Sequence, residues 1–310
     1  MQHASQIDGS IPSVIPILSR MAYTLDDLRR LLDLERIEHN IFRGQSKDIG
    51  SGSVFGGQAL AQALVAASRT VDDEERSPHS MHGYFILPGD VTAPIVYEVD
   101  RIRNGNSFTT RRVVAIQHGR AIFNMSASFH VPEEGANHQS DMPDVPAPED
   151  LPRELDLLRE IAHRIPEDRR SFFTEERPIE FRPVDPVSDP FAPEPTAPRR
   201  HLWLRARGPL PDDPLVHQSV LAYASDYGLL GTALRPHGLT FATPGLQLAS
   251  LDHALWFHRP VRADRWLLFA MDSPSASGAR GFTRGQIFDN DGTLIASVTQ
   301  EGLMRRRKSE

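Results

Sequence analysis

The two ends of this chain repeat each other, and no other feature constrains its fold as strongly. The first copy reads His82-x-Tyr84-Phe85-x-x-Pro88, then Ser107-Phe108-Thr109, and closes with Gly119-Arg-Ala-Ile122 ahead of a strand-like run to Phe129. The second reads His253-x-x-Trp256-Phe257-x-x-Pro260, then Gly281-Phe282-Thr283, and closes with Gly292-Thr-Leu-Ile295 ahead of a similar run to Met304. Four landmarks (His, Pro, Phe-Thr and Gly) hold an offset of 171 to 174 residues. A duplicated chain builds one fold twice, and 310 residues are enough for two cores of ordinary size. Where the copies differ is then informative. Ala127 in the first stands opposite Gln300 in the second, which points to a single active site in the C-terminal half.

Each copy predicts the same order of elements. Val54 to Val71 reads as a helix rich in alanine and leucine, with Ala59, Leu60, Ala63, Leu64 and Ala67 at helical spacing. Only Gln58, Gln62, Ser68 and Arg69 form its polar face, so the helix is expected to be buried on most sides. Strands follow at Met81–Leu87, Pro94–Arg103, Ser107–Gln117 and Ala121–Val131, separated by turn signals at Asn104-Gly105-Asn106 and His118-Gly119. In the second copy Asp213 and Pro214 open a helix that continues over Leu215–Leu230. Strands are expected at Leu248–His258, Trp266–Asp272, Gly278–Phe288 and Leu294–Met304, the last two joined by Asn290-Asp291-Gly292. One buried helix and an antiparallel meander, twice, is an α+β pattern. Sixteen of the 25 prolines fall between Pro132 and Pro214, so a covalent linker laid over the surface is expected there, with one helix near Leu151–Arg164. The expected divisions are a tail over 1–20, an N-terminal unit over 21–132, a Pro-rich linker over 133–200 and a C-terminal unit over 201–310.

Composition excludes several function classes. A net charge of −7 carries no nucleic-acid footprint. No 18-residue apolar run exists, so no membrane-spanning helix is expected. The first 20 residues lack the pattern of a secretory signal, and the final Arg-Lys308-Ser-Glu310 is not a peroxisomal tail. The absence of cysteine rules out disulfides, thiolate metal sites and a Cys nucleophile, and fits a reducing cytoplasm. No Gly-x-Ser-x-Gly elbow or phosphate loop occurs, and His79-x-x-His82 and His253-x4-His258 lack acidic completion. No metal and no cofactor are expected.

Three polar residues stand among apolar neighbours. Asp226 sits in Leu221-Ala-Tyr-Ala-Ser-Asp226-Tyr-Gly-Leu-Leu230, where burial of a carboxylate is costly unless it is paired or used, and where burial raises it toward a working base. Gln300 lies in Ile295-Ala-Ser-Val-Thr-Gln300-Glu-Gly-Leu, and Ser250 opens Ser250-Leu-Asp-His-Ala-Leu-Trp-Phe. Taken singly, each also reads as structural: Asp226 as a helix-end acceptor, Gln300 on a solvated strand face, Ser250 as a strand-start hydroxyl.

At these residues the chain resembles the acyl-CoA thioesterase II family, whose members carry two fused hotdog folds. The resemblance runs from Phe42-Arg-Gly-Gln45 to about Arg305. It includes Val54-Phe-Gly-Gly-Gln58, the His82 to Gly89 segment, Asp252-His-Ala-Leu-Trp-Phe-His-Arg-Pro260, Ser275-Ala-Ser-Gly-Ala-Arg-Gly281 and Gln300-Glu-Gly302. It implies two tandem hotdog folds, each an antiparallel sheet wrapped around a long helix. It also implies hydrolysis of acyl-CoA by a water held between Asp226, Ser250 and Gln300, and a homo-oligomer. Ser250 stands where some members have Thr, which keeps the hydroxyl. Two alternatives remain open: a hotdog enoyl-CoA hydratase or dehydratase drawing on Asp252-His253, and an acyl-CoA sensor without turnover.

Overall fold

The computed structural model describes residues 23–306 apart from Glu74 and Pro166. The expected tail over 1–20 and the chain end at Lys308–Glu310 lie outside the described residues. In chain order the elements are α1 (Leu25–Leu32), β1 (Glu35–Glu38), β2 (Ile41–Gly44), α2 (Gly56–Ser68), β3 (Ser77–Phe85), β4 (Ile95–Asn104), β5 (Phe108–Gln117) and β6 (Arg120–His130). They continue with α3 (Glu154–Glu160), α4 (Glu167–Thr174), β7 (Ile179–Pro183), β8 (Arg199–Ala206), α5 (Pro214–Ser225), α6 (Leu229–Leu234), β9 (Leu246–Ser250), β10 (Asp252–Phe257), β11 (Leu267–Ser277), β12 (Arg280–Asp289) and β13 (Leu294–Arg306).

The strands form one antiparallel sheet in the order β1-β2-β4-β5-β6-β3-β10-β13-β12-β11-β8-β7, with β9 paired to β13. The order is symmetric about the β3–β10 pair, where the two halves join with His253 opposite Gly83 and Leu255 opposite Met81. Each half wraps helix, α2 in the first and α5 continued by α6 in the second, with α6 lying on β11, β12 and β13. This is a tandem hotdog fold. It satisfies every strand along the seam by pairing the two inner edges with each other. No helix among the described residues is long and apolar enough to cross a membrane.

α2 and α5 meet at the centre, buried from Gly57 to Ala67 and from His217 to Ser225. Of the expected polar face of α2, Gln58 and Gln62 are internal, while Arg69 at the helix end is exposed. The Gln62 carbonyl accepts from the Tyr97 hydroxyl at 2.7 Å, and its amide donates to the Leu31 and Gln45 carbonyls. α5 starts as expected, with Asp213 as N-cap accepting from the Leu215 N–H at 2.9 Å and Pro214 at the first turn. It ends earlier than the apolar run suggests, at Ser225. Gly228 takes φ 87°, a left-handed conformation natural to glycine, and the chain turns there into α6. That turn makes Asp226 the terminal cap and not a mid-helix residue.

The expected strand Leu248–His258 is broken at Leu251, so that β9 and β10 are separate. The Asp252 carboxylate accepts the Glu301 N–H at 2.6 Å at the break. The Pro-rich segment covers the outer face of the second half. Met142, Val145 and Leu151 pack over Trp203, Trp266, Leu268, Phe288 and Leu294, and the Trp203 indole donates to the Pro146 carbonyl. The expected helix near Leu151–Arg164 is present as α3. The expected boundary at 200/201 falls inside β8, which pairs on one side with β7 and on the other with β11.

Candidate functional site

The helices α2 and α5 run in opposite directions, so the C-terminal end of α5 meets the N-terminal end of α2. The first N–H groups of a helix lack intrahelical partners, and α2 has no side-chain cap of its own. Asp226 supplies one from the other half of the chain: its Oδ2 accepts the Gly57 N–H at 2.9 Å. The positive end of α2 favours the negative charge there. Gly56 makes the approach feasible. A Cβ at that position would lie 2.7 Å from Asp226 Oδ2 and 2.8 Å from the Phe85 ring.

The other carboxylate oxygen, Oδ1, is buried and has no hydrogen-bond partner in the protein, although Asp226 as a whole keeps some exposed surface. Burial pushes the carboxyl up to about 6, against the Gly57 N–H and the nearby Gln300 side chain, which pull it down. Gln300 is close enough to favour the ionised form without a hydrogen bond of good geometry to Oδ1. Its own bonds are firm. The Gln300 amide donates to Ser250 Oγ at 2.6 Å, and its carbonyl lies 2.8 Å from His253 Nδ1. The three residues singled out in the sequence therefore converge. Asp226 comes from the end of α5, Ser250 from the end of β9 and Gln300 from the middle of β13, where Gly302 pairs with Ser250. Gln300 is 2 % exposed, so it is not on a solvated strand face.

Two participants are absent from the set read in the sequence. Gly57 contributes a backbone N–H, which carries no sequence signal. His253 is fully buried, and its two ring nitrogens meet Gln300 and, at 2.9 Å, Ser225 Oγ. Sequence alignment of the copies sets His253 opposite His82, but His82 is exposed while His253 points inward. The strand pairing gives the reason. Ala127, the counterpart of Gln300, pairs with Met81, so Met81 is the inward counterpart of His253. An offset wrong by one residue moves a strand side chain to the opposite face.

The opposite ends of the same two helices test whether there is a second site. Arg69 caps α2 where Asp226 caps α5, and a cleft of about 440 Å³ lies there between Val65, Arg69, Leu215 and Val216. Ala127 replaces Gln300, and Pro78, which pairs with Phe129 as Ser250 pairs with Gly302, replaces the hydroxyl. The carboxylates that line this cleft are engaged elsewhere, Asp33 with Arg69, Asp26 with Arg29 and Asp213 as the N-cap of α5, and Arg69 stands at the helix end where the other site has Asp226. Among the described residues, no three His, Asp or Glu side chains cluster as a metal site.

Fold and site together define a double-hotdog protein with a carboxylate, that of Asp226, whose Oδ1 is buried where the two halves join. Residues 44–130 match the family model described as acyl-CoA thioesterase N-terminal domain, and residues 168–303 match that described as acyl-CoA thioesterase. The chain belongs to the acyl-CoA thioesterase II family. It is 44 % identical to acyl-CoA thioesterase 2 of Haemophilus influenzae, over 92 % of this chain and 99 % of that one. It is 40 % identical to human acyl-coenzyme A thioesterase 8, over 89 % of this chain and 88 % of that one. The crystal structure of an acyl-CoA thioesterase II from Mycobacterium marinum is similar, with 43 % identity, a TM-score of 0.74 and coverage of 91 % of this chain and 99 % of that one.

Proposed function

We propose that this protein hydrolyses fatty acyl-CoA thioesters to free fatty acid and CoA by direct attack of water. The observation that carries the reading is the unpartnered Asp226 Oδ1, buried beside the Gln300–Ser250 pair. A buried acceptor without a partner costs about 1–3 kcal/mol, a cost that a bound water would offset. Such a water would give one proton to Asp226 and be oriented by the Ser250 hydroxyl and the Gln300 amide. A carboxyl held at about 6 is ionised at neutral pH yet basic enough to take a proton as the water attacks the thioester carbonyl. The positive end of α2 favours the oxyanion that forms. No step needs an acyl-enzyme. Ser250 has no base of its own, because His253 is engaged by Gln300 and Ser225. The same engagement removes the free base that a hydratase would need.

The test is thiol release from palmitoyl-CoA, followed with a thiol reagent. Release at a rate proportional to enzyme supports the reading. Consumption of enoyl-CoA, or tight binding of acyl-CoA without either reaction, would replace it. The proposal extends to a cytoplasmic homo-oligomer acting in fatty acid metabolism. The outer face of the first half is not covered by the Pro-rich segment that packs on the second, and sheet faces and edges that need cover favour assembly. Sedimentation as a 34.6 kDa monomer at micromolar concentration would refute the oligomer.

A further inference from the structure

Gln300 can serve the water only if its amide faces the right way. Its side chain has one donor end and one acceptor end, and the two fit the pocket differently. If the carbonyl turned toward Asp226, two acceptors would face each other across the water position. If the NH₂ group turns that way, it can donate to Ser250 Oγ and favour the ionised carboxylate. Nothing in Gln300 itself chooses between these.

We infer that His253 is a positioning residue for this reaction: its Nδ1–H holds the Gln300 carbonyl and so commits the amide NH₂ to Ser250 and to the water beside Asp226. The inference rests on the hydrolytic reading above. Three observations lead to it. His253 Nδ1 lies 2.8 Å from Gln300 Oε1, which is an acceptor only, so the proton sits on Nδ1. Burial drives the imidazole down to about 4, so across the working range the ring is neutral and carries one N–H. Nε2 is then an acceptor, and Ser225 Oγ stands 2.9 Å from it, at the same distance as from the Ala222 carbonyl. The single Ser225 proton has two acceptors in reach, the Ala222 carbonyl and Nε2; given to Nε2, it makes the donor order run Ser225 to His253 to Gln300 to Ser250. The first half supplies the control. There Met81 takes the place of His253 and Ala127 the place of Gln300, so both members of the pair are missing where Arg69, and not a carboxylate, closes the helix. A histidine needed only for packing would have no reason to go with the glutamine.

The experiment is a double-mutant cycle on palmitoyl-CoA hydrolysis, with kcat and KM measured separately. His253→Met installs the side chain that the first half already holds at this point. It should lower kcat by about tenfold or more with KM little changed, as expected for residues in one hydrogen-bond network. His253→Asn, whose amide N–H can stand where Nδ1–H stood, should recover a substantial part of that loss. In a Gln300→Ala background, His253→Met should cost less than about twofold further, because its target is gone. Losses that multiply, or equal damage by Met and Asn, would make His253 a packing residue and overturn the inference. If the Met variant does not fold, the same cycle with Ser225→Ala decides: a kcat loss that vanishes in the Gln300→Ala background supports the relay, and one that persists refutes it. The two readings fail differently. A wild-type protein without thioester hydrolysis, or a fully active Gln300→Ala variant, removes the hydrolytic reading itself; an active wild type with multiplying losses removes only the role of His253.

Discussion

Asp226→Asn should make this protein more stable and nearly inactive, and the gain in stability should depend on pH. Asn keeps the shape and still accepts the Gly57 N–H, so the cap on α2 survives. What is lost is the ionised carboxylate. Burial raises that carboxyl from 3.8 to about 6, and at about 1.4 kcal/mol per tenfold change the ionised form is penalised by about 3 kcal/mol. The folded pKa lies above the unfolded one, so the wild type carries no penalty below pH 3.8, loses stability as pH rises through 6, and carries the full penalty above that. The Asn variant escapes it. At pH 8 it should exceed the wild type by about 3 kcal/mol, or about 5 °C in midpoint, and near pH 4 the difference should disappear. Denaturant unfolding of both proteins across that range measures it. Turnover should fall by roughly 100-fold or more while acyl-CoA binding persists. In the wild type, kcat/KM should rise with pH to a plateau above about 6 as Asp226 loses its proton. A variant no more stable than wild type at pH 8, or a gain that ignores pH, would show that the carboxylate is not held in an unfavourable environment. Normal turnover in the folded variant would remove it as the base.

Gln300→Ala should lower kcat far more than Ala127→Ser does, since only the former stands beside a carboxylate; equal sensitivity in steady-state assays would mean two sites. Ser250→Thr should keep substantial activity and Ser250→Ala should lose much of it, while intact-protein mass during turnover of labelled acyl-CoA should reveal no adduct on Ser250. Gly56→Ala should displace Asp226 or Phe85, because the added Cβ would sit 2.7 Å and 2.8 Å from them. Activity should fall by more than about tenfold, a cost in the range known for a misplaced catalytic group; unchanged kcat in this variant would show that the contact at α2 does not position the carboxylate.

The duplication, the antiparallel meanders and the helix inside each were legible in the sequence because they rest on local rules. Side chains alternate along Leu294–Met304 with period two, alanine and leucine recur at helical spacing along α2, and Asn290-Asp291-Gly292 marks its own hairpin. Asp226, Ser250 and Gln300 could be named because a polar residue among apolar ones is conspicuous and because the resemblance gave them a common purpose. Other features depend on which strands pair and in what register. Local pattern does not distinguish an inward His253 from an outward His82, as a shift of one residue reverses every face, and only the Met81–Ala127 pairing settles the match. The length of α5 misled for a related reason: Leu229-Leu230 resumes the apolar run past the turn, so that the stop at the left-handed Gly228 is masked by apolar residues on both sides. The Gly57 N–H that meets Asp226 comes from 169 residues away and is a backbone group, alike in every residue but proline. Local pattern decides which segments are helix and strand and which of their faces are apolar. It took the antiparallel meeting of α2 and α5 to bring an uncapped helix end against a carboxylate, and so to place the candidate site where the two halves join.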